Sequence, residues 1–515
     1  MRNPYLTALI GSMLTCGSAA ADDESVALTI YSTARPGAIP ASMYQPAMRG
    51  PQAYGAYQSL TLPGYAIVKQ QRTIQLKAGR NDLRFTDVAA MIEPTTVLFS
   101  SLTDPSGTTV LEQSFEFDLV SPQKLLERFI DKPISLTFIR PNGDVDEISG
   151  VLLSSDGRQM VLRTDDPTHP IQILQSPAAR VNLSELPGGL ITRPTLVWDL
   201  SAKQAGEHLI RVTYETKAMT WWADYNMVYS DSDDPNRGSF DLGAWVSIIN
   251  QSGASYQDAK LKLIAGDVQR AAPPQMEMRK FAMAGRAAGI AGDGFKEKAF
   301  FEYHLYTLGR PTTLPNNSTK QIELFPTVRG VPCEKVYLYY GMPVSWGYGA
   351  AANAGRELGI PMNKKVDVYL RFRNDAESGL GMPLPSGRVR VNKLDPADET
   401  LEFIGENTID HTPKDEEVLI KLGSAFDVVG ERRRTSFRSD KNRHTIDESF
   451  EIKVRNHKDA TITVIVKETL YRWSGWEIRA KSHPFEKIDS RTIHIPVRVK
   501  PGGEATVTYS VHYEW

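Results

Sequence analysis

The feature that most constrains this chain is strict two-residue alternation, sustained over several runs near its end. In "FEIKVR", Phe450, Ile452 and Val454 fall in one phase, and Glu451, Lys453 and Arg455 in the other. "IHIPVRVK" repeats the pattern through Ile493, Ile495, Val497 and Val499. After "PGGEA", "TVTYSVHYEW" does so through Val507, Tyr509, Val511 and Tyr513. Successive side chains of a strand point to opposite faces, so such runs are half-buried antiparallel strands. Pro496 lacks an N–H and is expected on an edge strand.

Helical patterning is confined to "SPQKLLERFID". There Ser121 is a natural N-cap, Pro122 fits the first turn, and Leu125, Leu126 and Phe129 form one stripe. The segment after it contains Asn142-Gly143 and Asp156-Gly157 turn signals between short strands. We therefore expect a mainly β protein: antiparallel β-sandwich (Ig-like) domains plus a small SH3-like barrel with one short helix.

A chain of 515 residues exceeds a single ordinary core. The expected division is a leader over 1–21, an N-terminal sandwich over 22–120 and a helix-plus-barrel over 121–195. A central β domain over 196–395 and a C-terminal sandwich over 396–515 follow. The Pro/Gly-rich stretch within the first of these reads as a long loop, and the Ala/Met/Gly-rich stretch 270–298 as a mobile insertion or an amphipathic binding segment.

The first residues run from Arg2 through an apolar stretch to Ala19-Ala20-Ala21 ahead of Asp22-Asp23, the order of a secretory signal cut after Ala21. Lipidation at Cys16 is the competing reading; Thr15 is not the small residue usual before a lipidated cysteine. Cleavage leaves Cys333 as the sole cysteine, so no internal disulfide is available, and 58 basic against 61 acidic residues, a net charge of −3. That balance gives no electrostatic footprint for nucleic acid. No apolar stretch is long enough for a transmembrane helix. We expect an exported protein, periplasmic or at the cell surface.

"WVSIINQSGAS" gathers Asn250, Gln251, Ser252 and Ser255 between two apolar runs, a possible nucleophile cluster. "YLRFRNDAESG" and "EIKVRNHKDA" repeat the same layout around Asn374 and Asn456. Their unequal spacing excludes a short solenoid repeat. The changing polar neighbours point to strand-ending turns, in which asparagine bonds its own backbone and tolerates left-handed geometry.

No nucleophile elbow, P-loop or zinc-helix motif occurs, the histidines are scattered, and "GYGAAANAG" lacks the following helix of a dinucleotide loop. "SDSDDPNRG" groups Asp231, Asp233, Asp234 and Asn236; it reads as a hairpin tip, with calcium binding as the alternative. The basic run "ERRRTSFRSDKNRH" carries Arg432, Arg433, Arg434, Arg438, Lys441 and Arg443. These six are the candidate contacts for lipid phosphate or an anionic polysaccharide; the competing reading is a charged hairpin protected from aggregation. Trp221, Trp222, Trp473 and Trp476 are candidate sugar-stacking residues or core. The alternating run that closes at Trp515 resembles the last strand of an outer-membrane barrel, without the serial girdled strands of a barrel wall.

"LPGYAIVKQQRTIQLKAGRNDLRF", "WWADYNMVYS", "WVSIINQSGASYQDAKLKLIAGDV" and "GLGMPLPSGRVRV" resemble an uncharacterised family of exported bacterial proteins. Its C-terminal domain, of unknown function, is shared with mucoidy-inhibitor-type proteins, although the coiled coil those carry is missing here. The resemblance implies a β-rich exported architecture and supplies no catalytic residues. The function expected is a non-enzymatic envelope binding or scaffolding protein without a cofactor, its partner an unidentified protein, lipid phosphate or glycan. A glycan-acting hydrolase or carbohydrate-binding protein is the alternative, and an outer-membrane protein a lesser one.

Overall fold

The structure, a computed structural model, describes residues 25–31, 39, 62–117, 120–139, 144–156, 159–175, 180–185, 191–266, 268, 295–300, 303–342, 354–360, 362–395, 397–440 and 442–515. The leader, most of the Pro/Gly-rich stretch, residues 270–294 of the expected insertion, the Asn142-Gly143 turn and Lys441 lie outside them. Strand Phe295–Phe300 begins within the last residues of the expected insertion.

The chain is mainly β, as expected. It forms two compact units: residues 1–28, 67–217 and 252–259, and residues 29–66, 218–251 and 260–515. The junctions expected near 120, 195 and 395 are not among these boundaries. Pairing between distant segments explains the difference. Trp198 lies opposite Gln113 and Val212 opposite Phe99, which draws both flanks of the helical segment into one unit.

In the first unit, Thr195–Ala202 is the middle strand between Gly79–Thr86 and Thr108–Glu116. Trp198 is fully buried there between Phe85 and Phe99. Helix Pro122–Arg128 begins as its residues dictate: Ser121 Oγ accepts from the Lys124 amide at 3.2 Å. Phe129 and Leu126 pack on a sheet ordered Arg180–Leu183, Pro133–Ile139, Val145–Ser155, Gln159–Arg163, Ile171–Gln175.

This sheet corrects the expected SH3-like barrel. Its outer strands, Arg180–Leu183 and Ile171–Gln175, each pair on one side only, so it stays open. Phe129 covers the apolar face formed by Ile134, Leu136, Leu152 and Leu162, which removes the need for the sheet to close on itself.

In the second unit, one branched sheet runs in the order Leu401–Ile409, Gly387–Leu394, Met219–Asp231, Arg237–Asn250, Ser318–Tyr339, Lys365–Arg373, Glu417–Asp440, Thr445–Asn456, Glu504–Glu514, Trp476–Lys481. Two contacts are parallel, Met219–Asp231 with Gly387–Leu394 and Ser318–Tyr339 with Ile462–Thr469. The final segments build the sandwich that their alternation demands. Phe450, Ile452, Val454, Val507 and Val511 share one core with Val464, Val466, Ile493, Ile495 and Val497. Pro496 lies opposite Ile465; on the far side of its strand only His494 and Ile493 are paired, so the proline occupies an edge position. The strand ending before Trp515 is paired on both sides within this sandwich, and among the described residues no barrel closes.

Candidate functional site

The three echoing asparagines are buried, and their chemistry differs from a simple turn. None is left-handed. Asn250 Nδ2 donates to the carbonyls of Leu314 and Pro315, each at 3.1 Å. Asn374 Nδ2 donates to Met382 (2.7 Å) and Pro413 (2.9 Å). Asn456 Nδ2 reaches Ala460, Val499 and Lys500. Each amide therefore pins the end of its strand to carbonyls elsewhere, satisfying acceptors that burial would otherwise leave unpaired. Ser252 is fully buried, with its Oγ 3.2 Å from Tyr256 Oη.

The basic run is divided by its own strand, Glu417–Asp440. Arg432 and Arg434 point inward with Val428, while Arg433 and Arg438 point out. Arg432 is buried against Glu468, with Nε 2.9 and 3.0 Å from the two carboxylate oxygens, and its guanidinium lies 4.0 Å from the centre of the Phe450 ring. Tyr509 donates to the same carboxylate. Burial alone would lower the Arg432 pKa, but Glu468, Tyr509 and Tyr471 outweigh it and raise it, so the charged form persists. Alongside, fully buried Glu448 accepts from Arg434 (3.1 Å), Arg472 (2.8 Å) and Tyr471. Burial, followed by the charge of Glu448, pushes the Tyr471 hydroxyl up to about 12.

The outward residues are matched by carboxylates, across the ladder or, for Arg443, within the turn. Arg433 meets Glu451 at 3.0 Å, Arg443 lies 3.8 Å from Asp440, and Arg438 stands opposite Asp447. A run that is basic along the chain is thus nearly neutral on the sheet. This corrects the six-residue contact: Arg432 and Arg434 are inside, Arg433, Arg438 and Arg443 are outside among acids, and Lys441 lies outside the described residues.

The tryptophans divide similarly. Trp221 and Trp222 are buried, Trp222 Nε1 donating to Asp224 at 2.7 Å, whereas Trp473 and Trp476 are half-buried against the C-terminal core. The Asp-rich stretch is a hairpin tip: Asp234 accepts from the Asn236 amide, and Asp231 is held between Lys335 and Lys393. Among the described residues no group of three or more His, Cys, Asp or Glu is placed to hold a metal.

A recess of about 920 Å³ opens on the second unit's sheet. Arg237, Glu334 and Arg371 are directly opposed on three neighbouring strands, and Glu417 reaches Arg371 from a fourth. Arg371 Nε donates to Glu334 at 3.0 Å, and that bond raises its pKa. The wall is the second asparagine corner: Arg373, Asp375, Glu377 and Ser378 of "RFRNDAESG" all line the recess, with the Ser378 amide donating to Asp375 at 2.9 Å. Cys333, beside Glu334 in its strand, lies in the buried phase with Val331 and Tyr337, and burial pushes its thiol up to about 12. Nothing along the sequence marked this recess, because its alternation of charge runs across strands and depends on their register. Chemically it offers guanidinium donors and carboxylate acceptors side by side, and three arginines against six carboxylates leave it net acidic.

No protein-family model matches the chain, and neither does any curated protein or solved structure. Fold and site together define a class: a β-sandwich protein with two buried arginine–glutamate clusters and a broad, open recess lined by arginines and carboxylates.

Proposed function

We propose that this is an exported, non-enzymatic envelope protein, as the secretory leader and the family resemblance imply, and that it binds a polar ligand in the recess around Arg371. The observation that carries this is the cross-strand array Arg237–Glu334–Arg371–Glu417 lining an accessible concavity. Guanidinium donors beside an excess of carboxylate acceptors suit a ligand rich in hydroxyls and amides, as glycans and peptidoglycan fragments are, better than an anionic one. The acid–base groups Glu448, Glu468 and Tyr509 support a binding role, because they are committed to one another and to arginines inside the sandwich.

The test is titration calorimetry of the mature protein with soluble peptidoglycan fragments and neutral oligosaccharides, alongside Arg371→Glu. Saturable binding to one of these classes, lost in a variant that keeps its thermal midpoint, is the expected result. Heat from covalent turnover, with new products on chromatography, would replace the binding reading by a hydrolase. Binding unaffected by Arg371→Glu would move the ligand away from this recess. The leader reading is checked separately: the mature protein should begin at Asp22.

A further inference from the structure

Three arginines of the C-terminal sandwich converge on one short stretch of main chain. Arg432 Nη1 donates to the Gly359 carbonyl at 2.8 Å. Arg434 donates to Leu358 (3.0 Å) and Arg356 (2.7 Å), and Arg472 to Gly355 (2.9 Å) and Leu358 (3.3 Å). Beneath them lie two carboxylates, Glu448 and Glu468, so this buried cluster carries one positive charge more than its acids neutralise. The carbonyls of Gly355, Arg356, Leu358 and Gly359 supply the missing negative partners, as partial charges only.

We infer that segment 354–360 is a displaceable strap over a latent oxyanion site, and that a carboxylate, sulfate or phosphate group can take the place of its carbonyls. Three observations support displacement. Residues 354–357 and Ile360 are exposed, so little apolar burial holds the strap down. Its side-chain grip is the set of arginine bonds plus one from Tyr471 Oη to the Leu358 carbonyl at 3.4 Å, and a formal anion satisfies planar guanidinium forks better than a neutral carbonyl does. The strap fits only because Gly359 adopts φ +80 with no side chain; a Cβ there would stand 2.0 Å from Tyr471 Oη. The site is separate from the recess around Arg371 and stands whether or not that recess binds a ligand.

The test uses the intact protein and trypsin, which must extract the Arg356–Glu357 bond from the strap before cutting it. Wild-type cleavage after Arg356 is expected to be several-fold faster in phosphate or sulfate than in chloride at equal ionic strength, with cuts elsewhere unchanged. In Arg434→Lys, which keeps the charge but loses the fork, cleavage there should be fast in chloride and indifferent to phosphate. Gly359→Ala should raise its thermal midpoint with phosphate by more than the wild type does, the wild type reporting the general salt effect. Oligogalacturonate and phosphate arms separate the sources: acceleration by either one supports the site and identifies its anion class. Equal wild-type cleavage after Arg356 in chloride, phosphate and oligogalacturonate overturns the inference, whether or not Gly359→Ala folds.

Discussion

Arg432 and Arg433 are neighbours in the chain and opposites in environment. Each belongs to an arginine–glutamate pair of similar length, yet the Arg432–Glu468 side chains are 2% exposed and Arg433 is 65% exposed. Inside, both ions have surrendered their hydration, so each is tolerable only while the other is present. Outside, water and salt already screen the pair, and ordering two long side chains offsets most of the attraction. One geometry thus has two energetic meanings, and a two-residue alternation decides which applies.

The sharpest way to break this comparison is Glu468→Gln. It keeps the shape but leaves Arg432 as an unneutralised buried charge, an expected loss of about 3–5 kcal/mol. Urea denaturation at neutral pH measures it as a drop in midpoint at constant slope. Replacing both partners by apolar residues, Arg432→Met with Glu468→Leu, should restore much of that loss. A Glu468→Gln cost below about 1 kcal/mol would show that the inner pair behaves like a surface one.

Next in size is the asparagine corner at 456, where burial without formal charge can be compared with the ion cluster. Asn456→Ala leaves the Ala460, Val499 and Lys500 carbonyls without their donor, for an expected loss of about 1–3 kcal/mol. Asn456→Asp should be worse at neutral pH, because a carboxylate would face those same carbonyl oxygens. It should recover partly in acid, where the protonated oxygen can donate. A flat pH response of Asn456→Asp would reveal a relaxed corner rather than a pinned one.

Both effects rest on features that were partly legible in the sequence. The strands of the C-terminal sandwich and the cap at Ser121 could be read directly, because periodicity and capping are local. So, in hindsight, could the ion cluster: Glu448 falls in phase with Ile446, Phe450 and Ile452, and Glu468 with Val464 and Val466. A charged residue in the inward phase of a strand announces a buried partner, whereas reading the arginines as a linear run ignored the alternation that separates them. What stayed hidden was non-local. The open sheet in place of a barrel depends on which strands pair and on Phe129 covering its face. The recess at Arg371 depends on register between strands nearly a hundred residues apart.

A half-exposed site sharpens the comparison between its extremes. Burial pushes the Asp231 carboxyl up, but hydrogen bonds from Lys393 and Lys335 outweigh it and hold the pKa at about 2. A carboxyl depressed below its unfolded value of about 4 contributes stability above that value and loses it as pH falls through about 2. Because Asp231 is 46% exposed, solvent screening limits the contribution to under about 1 kcal/mol. Asp231→Asn should therefore lower stability slightly at pH 7 and flatten the acid limb between about pH 4 and pH 2. An unchanged acid limb would mean that the two lysines contribute packing alone.

The smallest effect expected is that of Arg433→Ala, within about 1 kcal/mol of wild type and shrinking further as salt rises. Its value lies in the contrast with its neighbour. Arg433 stands on a face where Arg455 pairs with Glu431 and Glu504, and Lys453 with Glu504, so removing one cation leaves Glu451 in water rather than stranded. The salt dependence separates the possibilities. If the loss persists undiminished at about 1 M salt, where the screening length is about 3 Å, the outer pair is held by packing of the arginine stem and not by charge. The inner and outer arginines would then differ in what they touch, not in how well water screens them.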